Sequence, residues 1–206
     1  MFKVFLVDDD THVLKALTRL LRAKGYDTEA FASPQEFLAR HDADIPGCAI
    51  LDVAMPALDG LALQQALTEG GEQQRPLIFL SGKGDIPTGI RAMKAGAIDF
   101  LTKPVREADL LDAIARAHDD DTTRRQRRAE LAAAQAKIAT LTRREREVLS
   151  HVVTGQLNKQ IAADLGIVEK TIKVHRGRVM EKLGVRSVAD LVRLVEKVGM
   201  PAVSKL

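Results

Sequence analysis

Apolar residues follow two different repeats along the first part of the chain. Short apolar runs alternate with segments in which apolar positions recur every three to four residues. The short runs indicate buried strands, and the longer repeat indicates amphipathic helices. The predicted strands are 3–7, 28–31, 48–52, 77–81 and 98–101, and the predicted helices are 12–24, 34–40, 58–69, 86–95 and 106–118. Five successive strand–helix units predict an α/β fold, a doubly wound five-stranded parallel sheet.

After residue 140 the helical repeat continues without strand-like runs. Four helices are predicted, at 142–154, 158–165, 168–183 and 187–198. Two capping boxes mark helix starts, Thr142 with Glu145 and Ser187 with Asp190. The second and third helices are joined at Gly166-Ile167, a connection as short as that of a helix-turn-helix motif. This part of the chain is therefore predicted to be an all-α, four-helix domain.

The segment between these two parts differs from both in composition. It changes from an Asp-rich and Arg-rich stretch to an Ala-rich stretch of strong helix formers. We therefore predict a helical linker, and three regions in all, at 1–118, 119–140 and 141–206. A chain of 206 residues is long enough for two small domains, each with its own core. Four apolar residues at 3-4-3 spacing also suit a short coiled-coil seam: Leu131, Ala134, Ile138 and Leu141.

Charge divides the chain in the same place. Residues 1–121 contain 13 Lys and Arg against 20 Asp and Glu, whereas residues 122–206 contain 18 against 8. A basic second half indicates a polyanionic partner. All seven aromatic residues lie at or before Phe100, so the basic half has no ring on which a splayed base could stack. This favours double-stranded DNA over single-stranded nucleic acid.

Other features of composition bear on location. Cys48 is the single cysteine, which precludes an internal disulfide, and the sequence contains neither a signal-peptide pattern nor an apolar run of 18 residues. We therefore expect a cytoplasmic protein with no membrane partner.

Chemically active side chains follow three of the predicted strands. Asp8 and Asp9 follow the first strand, Asp52 ends the third, and Lys103 follows the fifth. The carboxyl ends of parallel strands meet at one edge of a sheet, so these side chains are expected to share a crevice. Taken singly, an acidic triplet is often a helix cap, which is the role expected of Asp10, and a Lys-Pro pair is most often a turn.

The helix at 168–183 has two distinct faces. Ile172, Val179 and Leu183 cluster on one side, which is expected to be core. The opposite face is cationic around one apolar residue, with Lys170, Lys173, Val174, Gly177 and Arg178. Such a surface suits the major groove of DNA, because cations contact phosphates or guanine edges and a valine can contact a thymine methyl. The alternative is a solvated charged face on a small bundle.

These motifs resemble a known family over nearly the whole chain. The first half resembles the receiver domain, a flavodoxin-like fold, of bacterial two-component response regulators, through Asp8-Asp9, Asp52 with Met55-Pro56 and Gly60, Ser81-Gly82, and Phe100-Leu101-Thr102-Lys103-Pro104. The second half resembles the LuxR-type helix-turn-helix of the NarL/FixJ subfamily, through Leu141-Thr142-Arg143-Arg144-Glu145, Asn158-Lys159-Gln160-Ile161-Ala162 and Lys170-Thr171-Ile172-Lys173-Val174-His175. Ser81 stands where Thr is frequent, and Gly177 stands where some relatives carry Lys.

The resemblance assigns a role to each residue of the crevice. Asp52 accepts a phosphoryl group as a carboxylate nucleophile, with Lys103 as the stabilising charge. Mg²⁺, a cation that prefers oxygen ligands, is held by Asp8, Asp9, Asp52 and the backbone carbonyl of Ala54. Ser81 hydrogen bonds the phosphoryl group and Phe100 follows it as a switch residue. The Lys103–Pro104 peptide is expected to be cis.

The resemblance also implies partners. A sensor histidine kinase supplies the phosphoryl group, and double-stranded promoter DNA is bound through Lys159, Lys170, Thr171, Lys173, Val174, Gly177 and Arg178. A homodimer is expected on activation or on DNA, and RNA polymerase is a further candidate partner. The protein is expected to catalyse no reaction beyond its own phosphoryl acceptance and dephosphorylation.

Two other functions use part of the same features. A Mg²⁺-dependent phosphohydrolase would use acids after the first strand, but its Asp-x-Asp-x-Thr pattern fails at His12. A small-molecule-sensing regulator would keep the helix-turn-helix and need an enclosed apolar pocket. A sequence with no Trp and one Tyr offers little for such a pocket.

Overall fold

The computed structural model describes residues 2–56, 58–69, 75–82 and 86–199. The chain forms two compact units, Met1–Arg125 and Gln126–Leu206. Each has its own hydrophobic core, and each is described by itself below.

The first unit contains a five-stranded parallel sheet in the order β2-β1-β3-β4-β5. The strands are β1 (Lys3–Val7), β2 (Asp27–Phe31), β3 (Gly47–Asp52), β4 (Leu77–Ser81) and β5 (Asp99–Thr102). The predicted strands are thus confirmed to within one residue at either end. Strands β3 and β4 are buried along their whole length, because helices cover the sheet on both faces.

Helices of the first unit pack on opposite faces of this sheet. They are α1 (Thr11–Ala23), α2 (Pro34–Arg40), α3 (Gly60–Glu69), α4 (Ile86–Lys94) and α5 (Glu107–Ala139). One core cluster joins the sheet to α1 and the start of α5, and the other joins it to α2, α3 and α4. The doubly wound architecture is therefore confirmed. Asp10 caps α1, as expected, by accepting a hydrogen bond of 2.8 Å from the His12 N–H.

Helix α5 differs from the prediction in its length. The helix predicted at 106–118 and the linker predicted at 119–140 form one continuous helix of 33 residues. Within the first unit, Asp121 accepts a hydrogen bond from the Gly47 N–H at 3.2 Å. Arg125 donates to the carbonyls of Asp44 and Ile45 at 2.8 and 2.9 Å. These bonds join the middle of the helix to the segment before β3, so the helix continues past the point where its apolar repeat ends.

The second unit packs four further helices around one core. They are α6 (Arg143–Val153), α7 (Asn158–Leu165), α8 (Glu169–Leu183) and α9 (Val188–Val198). Leu141 is buried in this core and Ile138 packs against it. These two positions therefore face their own unit, and the coiled-coil interpretation of their spacing was wrong. Every helix in the described part of the chain is too short or too polar to cross a bilayer.

The first residue before α8 lacks a capping side chain. Val168 has the extended dihedral angles of an N-cap (φ −77°, ψ 147°) but offers no acceptor, and it is 68% exposed. We expect Val168→Ser to raise the free energy of unfolding by about 1 kcal/mol, because a serine oxygen accepts from the Thr171 N–H. Urea denaturation followed by helical circular dichroism measures the change. Val168→Ala is the control, and an equal gain with alanine would contradict the capping explanation.

Candidate functional site

Three of the predicted side chains meet at the carboxyl edge of the sheet. Asp8 follows β1, Asp52 ends β3 and Lys103 follows β5. The Nζ atom of Lys103 lies 2.6 Å from Asp8 Oδ2 and 2.6 Å from Asp52 Oδ1. The two acids are 3% and 6% exposed. One ammonium group therefore bridges two buried carboxylates.

Burial and hydrogen bonding have opposite effects on the pKa values of Asp8 and Lys103. Burial raises the pKa of Asp8, and the hydrogen bonds from Lys103 and from the Asp10 N–H reverse this only in part. Burial alone would lower the pKa of Lys103, but its bonds to Asp52 and Asp8 outweigh that effect and raise it. Lys103 therefore keeps its positive charge at neutral pH, where a phosphate group would need it.

The backbone around Lys103 and Asp52 holds their side chains in place. The Lys103 N–H donates to the Ser81 carbonyl at 2.7 Å, which extends the pairing of β4 with β5. The Ala54 N–H donates to Asp52 Oδ2 at 2.8 Å. The Lys103–Pro104 peptide is cis, as the resemblance implies. Both carboxylate oxygens of Asp52 therefore have a partner.

The predicted magnesium ligands are only partly assembled. Asp8 and Asp52 lie together, whereas Asp9 is exposed and the structure shows no contact of its carboxylate with the described residues. Among those residues no group of three His, Cys, Asp or Glu side chains has the geometry of a metal site. The donor chemistry still fits, because Lys103 neutralises one of two buried carboxylates and Mg²⁺ needs only one or two direct carboxylates.

Ser81 and Phe100 occupy neighbouring strands near this edge. Ser81 ends β4, is 5% exposed and pairs with Thr102. Phe100 pairs with Phe79, and their ring centroids are 6.4 Å apart. The ring of Phe100 is half-buried. Both predicted switch residues therefore lie on β4 and β5, the two strands that follow β3 in the sheet order.

The two faces of α8 follow the predicted division. Ile172, Val179 and Leu183 are at most 1% exposed, which confirms the core face. On the opposite face Val174 is 47% exposed. The residues around it are also exposed, namely Lys170, Lys173, Gly177 and Arg178, and Thr171 is half-buried. We call these six residues, with Lys159 at the start of α7, the basic face.

Some cations of the second unit form ion pairs with the described residues and others do not. Arg143, Arg144 and Lys182 pair with glutamates of their own unit. By contrast, the four cations of the basic face form no ion pair with any of the described residues, namely Lys159, Lys170, Lys173 and Arg178. Their charge is therefore available to a polyanion such as DNA.

Two tertiary contacts in this unit have no signal in the sequence. Lys182 donates to Glu145 Oε2 at 2.6 Å, across 37 positions of the chain. Arg176 donates to Asn158 Oδ1 at 3.0 Å and so connects α8 to the start of α7. Sequence reasoning identified Glu145 as a capping residue, which is correct, but residue spacing carries no information on a partner in another helix.

The Glu145 contacts give the second unit a defined pH dependence. The hydrogen bond from Lys182, with that from the Thr142 N–H, lowers the pKa of Glu145 from 4.5 to about 2. Because folding lowers the pKa of Glu145, these hydrogen bonds contribute fully to the free energy of unfolding above pH 4.5. The contribution is lost as the pH falls towards 2. Carbon-detected NMR of the Glu145 carboxyl group should give a midpoint near 2. In Lys182→Met the midpoint should rise towards 4.5, and an unchanged midpoint would exclude Lys182 as the cause.

Comparisons with known proteins find a different family in each unit. Residues 4–115 match the response regulator receiver domain. Residues 139–195 match the LuxR family of bacterial regulatory proteins. The two matches lie in the two compact units of the structure and leave the middle of α5 between them.

Relatives extend this similarity over the whole chain. Nodulation protein W of Bradyrhizobium diazoefficiens is 44% identical over 199 residues, which cover 97% of this chain and 87% of that protein. Response regulator protein TmoT of Ectopseudomonas mendocina is 46% identical over 94% of this chain and 88% of its own length. The similarity is therefore to whole proteins with both domains.

Solved structures agree with the observed fold. A low-resolution structure of the response regulator StyR is 45% identical, with a TM-score of 0.82, and the match covers 95% of this chain and 98% of that one. Full-length FixJ from B. japonicum is 33% identical, with a TM-score of 0.56, over 97% and 98% of the two chains.

Proposed function

Because this chain belongs to the response regulators that join a receiver domain to a LuxR-type DNA-binding domain, we propose that Asp52 is its phosphoacceptor. The protein is a two-component transcriptional regulator controlled by phosphorylation, and its receiver domain implies a histidine kinase as partner. One observation carries the assignment of Asp52: its buried carboxylate shares the Lys103 ammonium with Asp8, at 2.6 Å from each. The match of both units to regulator families favours this function over a phosphohydrolase or a small-molecule sensor.

Phosphoryl transfer would use Asp52 as the nucleophile. An Asp52 carboxylate oxygen attacks the phosphorus of the kinase phosphohistidine, so that an O–P bond forms as the N–P bond breaks and the imidazole leaves. Lys103 places its charge beside the phosphoryl oxygens, and the Ser81 hydroxyl donates a hydrogen bond to the product. The protein is not a classical enzyme, since this acceptance and the later hydrolysis of the acyl phosphate change only the protein itself.

Receiver domains generally use Mg²⁺ for this reaction. The residues that would hold it here are Asp8, Asp9, Asp52 and the Ala54 carbonyl, and the bound ion supplies positive charge at the phosphoryl oxygens. Asp9 would complete the ligand set, because it follows Asp8 directly in the chain and is exposed.

Phosphorylation would be read out through Ser81, Phe100 and the surface next to them. Ser81 moves towards the phosphoryl group, Phe100 enters the space that it leaves, and the face of α4, β5 and α5 changes shape. Helix α4 exposes three large apolar residues, Ile86, Ile90 and Met93, at 74%, 50% and 45%. This exposure supports a homodimer on activation, since soluble monomers rarely leave such a stripe uncovered.

The basic face would enter the major groove of promoter DNA. Lys173, Val174 and Arg178 would reach base edges, and Lys159 and Lys170 would contact phosphates. Thr171 and Gly177 would allow close approach.

A homodimer would read two half-sites, and RNA polymerase would be the next partner at the promoter. We place this activity in the cytoplasm, where bacterial promoters are, and assign 1–118 to the receiver, 119–140 to the linker and 141–206 to DNA binding.

Magnesium and a phosphoryl mimic test the metal and acceptor assignments together. We expect Mg²⁺ with beryllofluoride to shift the amide NMR signals of Asp8, Asp9 and Asp52, because the carboxylates bind both. Chelation of Mg²⁺ by EDTA should reverse the shifts, and Ca²⁺ alone is the control for simple charge screening. An absence of Mg²⁺-dependent shifts at these three residues would contradict the metal assignment.

A further inference from the structure

Helix α4 carries a glycine where the ring of Phe100 packs against it. A β-carbon on Gly89 would lie 3.3 Å from Cδ1 of Phe100 and 3.5 Å from both Cγ and Cε1. Contacts below 3.4 Å are tighter than nine in ten real β-carbon contacts. The ring of Phe100 would therefore have to move by a few tenths of an ångström to accept a side chain at position 89.

A glycine inside a helix needs a reason, because it costs about 1 kcal/mol relative to alanine. Gly89 is the fourth residue of α4, between the buried Thr88 and the exposed Ile90. A β-carbon on Gly177 in α8, by contrast, would meet no heavy atom of the described residues within 4 Å. The contact with Phe100 is thus specific to Gly89 and not a general property of helical glycines in this chain.

Helix α4 is also held by α3. Gln64 of α3 is 4% exposed and donates to the carbonyls of Ala92 and Ala95 at 3.3 and 3.1 Å. Any shift of α4 relative to α3 would distort these buried hydrogen bonds, which is unfavourable. A methyl group added at Gly89 would therefore displace the ring of Phe100 more readily than it would displace the helix.

The ring has two directions in which to move. Moving outwards would expose more of its surface to water, whereas burial of an aromatic side chain is strongly favourable. Moving inwards, towards β4 and Ser81, would avoid this added exposure. The hydrophobic effect therefore favours the inward position once the position beside Gly89 is filled.

We propose that Gly89 is a positioning residue of the switch. It allows the Phe100 ring to pack against α4 while Lys103 bridges Asp8 and Asp52. The ring leaves this position on phosphorylation. The proposal rests on the proposed function of Asp52, Ser81 and Phe100, and it adds the residue that sets the resting position of the ring. Gly89→Ala should then shift the resting equilibrium towards the phosphorylated arrangement, since a substitution that disfavours one state populates the other.

Stability measurements test the contact without reference to function. The effect of Gly89→Ala on the urea midpoint is measured in two backgrounds, the wild-type protein and the Phe100→Leu variant. With Phe100 present, the added methyl meets the ring, so the urea midpoint should stay level or fall. In the Phe100→Leu background, where no ring is present, helix propensity should raise the midpoint. An equal rise of the urea midpoint in both backgrounds would contradict the proposed contact between position 89 and the Phe100 ring.

DNA binding without phosphodonor tests the consequence. Gly89→Ala should bind promoter DNA about three- to tenfold more tightly than the wild type before any phosphodonor is added, and this gain should vanish in the double variant with Phe100→Leu. Unchanged or weaker binding would overturn the proposal. The wild-type response to phosphodonor is measured in parallel, and its absence would contradict the proposed function. The comparison of urea midpoints would still decide whether Gly89 positions the Phe100 ring.

Discussion

The Asp52→Asn variant is expected to lose phosphoryl labelling completely. An amide has no anionic oxygen to attack phosphorus, and the substituted side chain would keep the shape of the aspartate and the hydrogen bond from the Ala54 N–H. Incubation with Mg²⁺ and acetyl phosphate, followed by intact-protein mass spectrometry, should show no added phosphoryl group. DNA binding should stay at the level of the untreated wild type.

The same variant is expected to remain folded. Lys103 keeps its 2.6 Å contact with Asp8, and one buried carboxylate charge is removed, so the free energy of unfolding should change by no more than about 1–2 kcal/mol. Asp59→Asn is a matched control, because Asp59 is a more exposed acid whose Oδ1 accepts from the Ala62 N–H at 2.7 Å, as an amide oxygen also can. It should label like the wild type. Labelling of Asp52→Asn at the wild-type rate would place the acceptor elsewhere.

Lys173→Ala is expected to weaken binding to the specific operator by about 1–3 kcal/mol, the usual value of a good base contact. Its ammonium group is exposed in the middle of the basic face and forms no ion pair with the described residues. Binding to random DNA should weaken less, because random sequence offers phosphates but not the matching base edge. Titrations of both DNAs at several salt concentrations separate these contributions.

Two further lysines serve as comparisons for that measurement. Lys159→Ala should weaken operator and random DNA alike and lower the salt slope by about 1, as expected for a phosphate contact. Lys15→Ala removes the same charge from an exposed position of α1, in the other unit, and should have little effect. If Lys173→Ala weakened binding to operator and random DNA equally, Lys173 would contact a phosphate and not a base.

Sequence periodicity was sufficient to predict the strands and the helices of the second unit. A strand such as β4 shows as a short apolar run because both its faces are covered, and a helix such as α8 shows its core face at every third or fourth residue. The position of Asp8, Asp52 and Lys103 at strand ends followed from the same pattern. In a parallel sheet all these ends open on one edge, so the sequence by itself determined that the three side chains share a crevice.

Only the tertiary structure decided how these side chains pair. That Lys103 bridges Asp8 and Asp52, rather than one of them, depends on the strand order β2-β1-β3-β4-β5 and on burial, which no local repeat encodes. The same holds for the continuity of α5, which rests on hydrogen bonds of Asp121 and Arg125 to a segment 74 to 81 positions earlier.

The packing of single side chains shows the same limit. Gly89 could be recognised in the sequence only as a weak point in a helix, since the Phe100 ring that explains it lies on another element. Glu145 could be recognised only as a cap, since Lys182 lies in a different helix. Periodicity and capping act over three or four residues and are visible in sequence. Side-chain contacts depend on distances in space and on the exclusion of water, and those exist only once the chain has folded.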